Sequence, residues 1–192
     1  MPTHLHILQR IEQNRNQQSK ILYLTEQKLL AVPPEVLTLD HLEELWLRGN
    51  AIQVIPADLS TLPRLRIIDL RRNPLREIAD IPGLVLDWGT WQRYRDRLAP
   101  EHIAGLWLRW HTDDLIKELL HLPRLCWLDL SFNRLTKIPE SISQLHNLTS
   151  LDLGYNRLTE ITESITRPHN LRSLLLRDNQ LSAILGLFFS KV

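Results

Sequence analysis

The feature that most constrains the fold of this chain is a 23-residue pattern that occurs twice in direct succession. Residues 125–147 read LCWLDLSFNRLTKIPESISQLHN, and residues 148–170 read LTSLDLGYNRLTEITESITRPHN. The two blocks share Leu at places 1, 4, 6 and 11, and Asn at place 9. A unit this short cannot bury its own apolar residues, so the pattern predicts stacked repeats with a continuous core.

The same template extends through most of the chain. Apolar residues stand at places 1, 4, 6, 11 and 14, a polar residue stands at place 9, and Pro is frequent at place 15. Eight copies begin at Ser19, Leu42, Leu65, Ile81, Ile103, Leu125, Leu148 and Leu171. The third copy has only 16 residues, so it lacks most of the outer segment that the other copies carry.

Each place in the template predicts a structural task. Alternating Leu residues at places 4 and 6 indicate a short strand with one buried side, and places 11 and 14 bring the returning chain over the same core. Stacked copies then form a parallel sheet. Asn at place 9 is expected to bond the backbone of the turn that leaves the strand. It occurs in five copies, at Asn50, Asn73, Asn133, Asn156 and Asn179.

The repeats resemble those of leucine-rich-repeat proteins over residues 19–192. The stretches NAIQVIPADLSTLP (50–63) and NRLTKIPESISQLH (133–146) resemble the 23-residue, Pro-containing subtype of intracellular Ras-group proteins and bacterial Roco-type proteins. The resemblance implies an α/β fold, namely a curved leucine-rich-repeat solenoid with parallel strands on its concave face and irregular or helical convex segments. It also implies a protein partner on the strand face.

The two ends of the repeat array differ. Residues 1–18 are predicted to form an N-terminal capping helix, with Thr3 as N-cap and with Leu5, Leu8 and Ile11 facing the first repeat. Residues 19–192 are assigned to the repeat domain. The last copy has no comparable cap, so an apolar edge is expected there, at Leu185, Leu187, Phe188 and Phe189.

Places 3, 5, 7 and 8 are expected to face solvent on the concave side, where the core does not dictate the residue. Aromatic and arginine side chains are concentrated there, and both types dominate binding hot spots. Place 8 in particular carries an aromatic row in four successive copies. The predicted partner-binding residues are Trp46, Arg48, Arg71, Arg72, Trp88, Trp107, Arg109, Trp110, Trp127, Phe132 and Tyr155. Trp91, at place 11, is predicted to lie in the core.

Several interpretations of this face stay open. A protein or peptide can lie on the aromatic row, or the rings can stack on each other and stabilise the sheet. Rings of this kind also stack on sugars and on bases. A further alternative gives the chain a structural or regulatory role, as the sensor arm of a larger Roco-like protein. It can also be a self-associating scaffold, a homodimer joined through its C-terminal edge.

Composition and motifs point away from catalysis. The net charge of +1 gives no bulk reason to expect nucleic acid or an anionic membrane. The chain has no phosphate-binding loop and a single cysteine, Cys126. Asp69, Asp129 and Asp152 share place 5. We interpret them as part of the Leu-Asp-Leu sequence that is common in this strand and not as a group for acid–base catalysis. We therefore expect a cytoplasmic protein that is not an enzyme and has no cofactor or metal.

Overall fold

The computed structural model describes residues 4–109, 117–161, 165 and 170–182. The chain divides into two units, Met1–Leu106 and Trp107–Val192. Each unit contains parallel strands that are aligned copy against copy, as the repeat template predicts. The assignment of residues 19–192 to a single repeat domain stays a prediction.

The strands of the first unit come from the first five copies. They are β1 (Ile21–Tyr23), β2 (Glu44–Trp46), β3 (Val54–Ile55), β4 (Ile67–Asp69), β5 (Glu77–Ile78), β6 (Leu84–Asp87) and β7 (Ile103–Trp107), whose last residue begins the second unit. The main sheet runs in the order β1-β2-β4-β6-β7. Leu22 lies opposite Leu45, which in turn lies opposite Ile68, so equivalent places of successive copies pair. On the outer side, β3 pairs with β5.

The second unit repeats this arrangement with fewer strands. They are β8 (Trp127–Asp129), β9 (Ser150–Asp152) and β10 (Ser173–Leu175). Leu128 and Leu174 both lie opposite Leu151, so the register advances by one full repeat from strand to strand. All eight predicted copies therefore contribute a strand, which confirms the template.

The core of each unit is built from the alternating leucines. Leu45 and Leu47, at places 4 and 6 of the second copy, are fully buried, and so are Leu151 and Leu153 of the seventh copy. Full burial of one such side chain stabilises a fold by about 1.5–3 kcal/mol. The residue between them points to the opposite side, because successive side chains of a strand alternate.

The predicted asparagine ladder is present. Asn50 accepts hydrogen bonds from the backbone N–H groups of Gln27 and Leu29 and donates to the carbonyl oxygens of Leu24 and Leu47. The other four donate in the same way to their own copy and to the preceding one: Asn73, Asn133, Asn156 and Asn179. One side chain thus satisfies peptide groups of two adjacent turns, which would otherwise be buried without partners.

The residue just before the ladder position has a left-handed backbone. Its φ is positive in six of the seven copies in which the structure describes this place: Glu26 (57°), Gly49 (71°), Arg72 (56°), Phe132 (57°), Tyr155 (54°) and Asp178 (53°). Non-glycine residues seldom adopt this conformation, because Cβ then approaches the following carbonyl oxygen. The turn geometry at place 8 is therefore imposed by the repeat and not by the residue that occupies it.

The outer segments are irregular or helical, as expected. The residue at place 15 is Pro33, Pro56 or Pro139 in three copies, and each proline immediately precedes a 3₁₀ helix: Pro34–Thr38, Ala57–Thr61 and Glu140–Gln144. Proline fixes φ near the value that the residue before each of these helices adopts. Two shorter 3₁₀ helices cover Pro100–His102 and Leu119–His121, and an α-helix, α2, covers Trp88–Tyr94.

The short third copy is accommodated by a glycine. The chain enters β6 almost directly, and Gly83 has φ of +89° with its backbone against that of the preceding copy. A Cβ at this position would lie 2.3 Å from the carbonyl oxygen of Arg66. Only glycine can supply both the positive φ and this close approach.

The N-terminal helix, α1 (His4–Gln17), confirms the expected helix but not every buried residue. Ile7, Ile11 and Asn14 are buried, whereas Leu5 is 63% exposed. The prediction for Leu5 is wrong because the helix packs through a stripe three to four residues apart that begins at Ile7. Asn14 fixes this contact, since its amide donates to the carbonyl oxygen of Ile21 at 2.8 Å. Thr3 lies outside the described residues.

Candidate functional site

Two exposed aromatic rings lie in face-to-face contact in the second unit. Phe132 and Tyr155 occupy place 8 of adjacent copies, and their ring centroids are 4.3 Å apart with 10° between the planes. Phe132 is 44% exposed and Tyr155 is 38% exposed. The predicted aromatic row is thus present at these two positions.

Arginines extend this contact on both sides. The guanidinium carbon of Arg109 lies 4.5 Å from the ring centroid of Trp107 and 5.2 Å from that of Phe132. The guanidinium carbon of Arg177 lies 5.1 Å from the ring centroid of Tyr155. We call these five side chains the stacked series. Each cation–π contact contributes about 0.5–1 kcal/mol at an exposed site.

The local sequence positions the two rings through backbone hydrogen bonds. In β8, a carboxylate oxygen of Asp129 accepts from the N–H of Ser131 at 2.8 Å, and in β9 that of Asp152 accepts from the N–H of Gly154 at 2.8 Å. The backbone is then left-handed at place 8, and the ladder asparagine follows at place 9. These bonds give the aspartates at place 5 a turn-forming role that the sequence pattern does not indicate.

A cleft of about 310 Å³ adjoins the stacked series. It is lined by Arg109, Phe132, Tyr155 and two arginines at place 10, Arg134 and Arg157, together with the ladder asparagines between them. The lining therefore holds three guanidinium groups and, within the part of the chain that the structure describes, no carboxylate. Sequence reasoning missed Arg134 and Arg157. The signal was present as the dipeptide Asn-Arg, repeated after 23 residues.

Arg109 has a further property that bears on binding. Its Nε is shielded from solvent and has no hydrogen-bond acceptor within the described ranges. A buried donor without an acceptor costs about 1–3 kcal/mol. The rings of Trp107 and Phe132 cover this group without accepting a conventional hydrogen bond from it.

One predicted tryptophan of place 8, Trp88, is buried instead of exposed. Trp88 is only 7% exposed, so its predicted place on the solvent-facing row is wrong. The reason is that α2 begins at Trp88: Asp87 caps this helix by accepting from the N–H of Thr90 at 2.9 Å, and the left-handed turn is replaced. Trp91 is buried, as expected. Trp110 lies outside the described residues.

Arg71 also departs from the prediction. Its side chain is 4% exposed, and its guanidinium donates to both carboxylate oxygens of Asp69, at 2.8 and 2.7 Å. Asp69 itself is fully buried. Arg71 is therefore committed to a buried ion pair inside the first unit, because a buried carboxylate needs a paired cation.

The remaining predicted residues lie on the sheet face of one unit or the other. In the first unit, Trp46 is half-buried beside Tyr23, with ring centroids 5.9 Å apart, and its Nε1 donates to Glu44 at 3.0 Å. Arg48 is half-buried and Arg72 is exposed. In the second unit, Trp107 and Trp127 are both half-buried.

The described residues contain no cluster of three or more His, Cys, Asp or Glu side chains that could hold a metal ion. Among residues 4–109, 117–161, 165 and 170–182, none of the helices has both the length and the apolar character of a membrane span. Leu185, Leu187, Phe188 and Phe189, the predicted apolar edge, lie outside the described ranges.

Solved structures share similarity with most of this chain. A leucine-rich-repeat protein of Leptospira interrogans is 22% identical over 90% of the chain, with a TM-score of 0.43, and this chain spans 47% of that protein. Internalin C2 of Listeria monocytogenes is 20% identical over 90% of the chain and 77% of its own length, with a TM-score of 0.45. Human trophoblast glycoprotein is 24% identical over 81% of the chain and 67% of its own length, with a TM-score of 0.47.

The comparison with protein families gives the clearer result. No curated protein matches the chain. The family described as leucine rich repeat matches residues 19–75 and 120–181. These ranges make up more than half of the sequence, and they contain seven of the ten described strands and all five ladder asparagines. The chain belongs to the leucine-rich-repeat family.

Proposed function

We propose that this chain is a non-catalytic protein-interaction module that binds a protein or peptide partner through the stacked series of its second unit. The observation that carries the proposal is the exposed contact between Phe132 and Tyr155. Both rings stand at a place that the repeat leaves free to vary, since Glu26 and Asp178 occupy it in other copies.

The exposed rings can supply binding energy. An aromatic side chain buries about 150–250 Å² when it is fully covered. Covering the exposed fractions of Phe132 and Tyr155 would remove about 160 Å² from water, which amounts to about 4 kcal/mol at 25 cal/mol per Å². That gain is typical of a hot spot, and Arg109 and Arg177 at its two ends belong to a residue type that is enriched in hot spots.

The rings are also held in place before any partner arrives. Arg109 covers Phe132 on one side of the pair, and Arg177 covers Tyr155 on the other. Side chains that are already ordered lose little rotamer entropy on binding, and this loss costs about 0.5–1.5 kcal/mol for each mobile side chain. A preformed surface of this kind therefore favours the binding of a partner.

The first unit offers a second aromatic pair, Tyr23 and Trp46, with Tyr23 56% exposed. We place the main site on the stacked series because a cleft lined by three arginines adjoins it. Within the family, the proline that precedes each of three 3₁₀ helices supports the Ras-group or Roco-like repeat subtype. The single cysteine is consistent with a cytoplasmic location.

The test is a selection of random 12-residue peptides displayed on phage against the whole 192-residue chain. Selected peptides are then measured by fluorescence anisotropy against a Phe132→Ala/Tyr155→Ala variant. The expected result is a loss of affinity of at least about tenfold, since about 1.4 kcal/mol is tenfold. The matched control is Leu5→Ala/Leu30→Ala, which removes two exposed apolar side chains of the first unit and leaves affinity unchanged.

Two results would overturn the proposal. One is that no peptide is enriched over the background of uncoated plates. The other is that the enriched peptides bind the Phe132→Ala/Tyr155→Ala variant as well as the native chain, so that they lie elsewhere. A circular-dichroism melt of each variant accompanies these measurements and shows whether the repeat fold is retained.

A further inference from the structure

We propose that the cleft beside the stacked series binds carboxylate side chains, so that the partner is a protein segment rich in Asp or Glu with an apolar residue next to them. The inference rests on the proposed function, because it names the chemistry of the partner at that same surface. In this arrangement the arginines of the cleft bind the acidic side chains, and Phe132 and Tyr155 contact the apolar one.

The charge of the cleft favours an anion. Three of its lining side chains are arginines, Arg109, Arg134 and Arg157, and no carboxylate lines it within the described ranges. The whole chain carries a net charge of only +1, so this concentration of positive charge is local. The nearby carboxylate of Asp152 accepts a hydrogen bond from the backbone N–H of Gly154. Complementary charge of this kind steers partners and fixes their register.

The spacing of the arginines suits carboxylates. Arg134 and Arg157 occupy place 10 of adjacent copies, whose strands β8 and β9 pair directly. Neighbouring strands lie about 4.8 Å apart, so the two guanidinium groups can approach one carboxylate or two adjacent ones. Arginine binds a carboxylate through two parallel N–H donors, which gives strength and orientation together. Lysine would provide a point charge without that fork.

The size of the cleft favours a short segment over a large ligand. Its volume of about 310 Å³ is at the lower end of the range of about 300–1,000 Å³ that is usual for ligand pockets. It can take one or two side chains while the rest of the partner lies across the exposed rings. A long nucleic acid would need many cations along its backbone, whereas three arginines line this cleft.

The test uses two fluorescein-labelled hexapeptides and the whole chain. One peptide alternates Glu and Phe, and the other has Gln in place of every Glu. Two charge-matched variants are compared: Arg134→Gln/Arg157→Gln changes the cleft, and Arg124→Gln/Arg172→Gln removes two exposed arginines of the same unit that do not line it. Binding is followed by anisotropy at low and at physiological salt.

The expected result is that the native chain binds the Glu peptide at least about tenfold more tightly than the Gln peptide. The cleft variant loses this preference, and the control variant keeps it. Equal binding of the two peptides, or an equal loss in both variants, would overturn the proposal. Displacement of the Glu peptide by a single-stranded oligonucleotide of equal charge at lower concentration would also overturn it.

These outcomes separate the two proposals. If the Gln peptide binds as tightly as the Glu peptide and both lose affinity with Phe132→Ala/Tyr155→Ala, the interaction surface stands and the acidic partner is wrong. If neither peptide responds to Phe132→Ala/Tyr155→Ala and the phage selection also fails, the proposed function itself is wrong. Arg134 and Arg157 are exposed, so we expect the cleft variant to keep its fold, which a circular-dichroism melt checks.

Discussion

Phe132 and Tyr155 are stacked at 4.3 Å although 23 positions separate them in the sequence, and both have a left-handed backbone with φ of 57° and 54°. The repeat brings them together, because place 8 of one copy always lies beside place 8 of the next. A left-handed backbone costs a non-glycine residue about 1–2 kcal/mol. The left-handed backbone that exposes the rings therefore also carries a small conformational strain, which unfolding measurements can detect.

Replacing Tyr155 by glycine and by alanine separates this strain from the loss of the ring. Both variants lose the contact with Phe132, but only glycine relieves the positive φ. We expect Tyr155→Gly to be more stable than Tyr155→Ala by about 1 kcal/mol, as measured by urea unfolding. The reverse order, with alanine the more stable, would mean that the turn at place 8 does not keep its left-handed form.

Removing a ladder asparagine should destabilise the second unit strongly. Asn156 donates to the carbonyl oxygens of Leu130 and Leu153 and accepts from the N–H of Leu135. Asn156→Ala leaves the N–H of Leu135 without an acceptor, whereas the two carbonyl oxygens each keep one donor, from Asn133 and Asn179. A buried group without a partner costs about 1–3 kcal/mol and each lost hydrogen bond adds about 0.5–1.5 kcal/mol, so a total of about 2–3 kcal/mol is expected.

The control for this loss is Asn147→Ala, which removes an exposed side chain with one bond to the carbonyl oxygen of Pro123. Its expected cost is below about 1 kcal/mol in the same urea titration. Similar losses for Asn147 and Asn156 would show that the ladder contributes no more than an ordinary surface hydrogen bond.

Substitution of Gly83 should disrupt the short third copy. Gly83→Ala places a Cβ against the carbonyl oxygen of Arg66 and keeps an unfavourable φ of +89°. We expect a loss of about 3 kcal/mol or more in the free energy of unfolding. Gly89→Ala is the matched control, because Gly89 lies exposed in α2 with its nearest contact at 3.6 Å, and alanine there should be neutral or stabilising. Equal effects at the two glycines would contradict the close approach.

The N-terminal helix depends on one buried amide. Asn14 donates to the carbonyl oxygen of Ile21 and bonds the imidazole Nε2 of His41 at 2.9 Å. In Asn14→Ala, hydrogen exchange over residues 4–17 should accelerate by about tenfold or more, which corresponds to about 1.4 kcal/mol. The exposed neighbour Asn16, changed to alanine, should leave exchange unaltered. Unchanged protection in Asn14→Ala would show that Ile7 and Ile11 hold the helix without it.

Much of the fold could be predicted because the repeat specifies it locally. The period places a leucine on the same side of every strand, and a 23-residue register aligns Leu128 with Leu151 without long-range information. The task of Asn at place 9 also follows from its donor and acceptor groups. The exact face of α1 could not be predicted, because Leu5 and Ile7 both fit a helical stripe and only packing against the first repeat decides between them.

The candidate site was predictable in part for a related reason. Phe132, Tyr155 and Arg109 follow from the assumption that place 8 and place 7 face solvent in every copy. The assumption fails at Trp88, where Asp87 starts a helix, and at Arg71, where a buried carboxylate captures the guanidinium. Both failures depend on a neighbouring side chain rather than on the place in the repeat, so periodicity alone cannot detect them.

The left-handed turn at place 8 has a consequence for how such a surface can change over generations. Glu26, Gly49 and Arg72 take the same backbone conformation as Phe132 and Tyr155, and the asparagine after the turn provides its hydrogen bonds in most copies. The residue type at place 8 can therefore change without a change in the repeat fold. A new specificity can arise, or be grafted in the laboratory, by exchanging single side chains while every strand keeps its register.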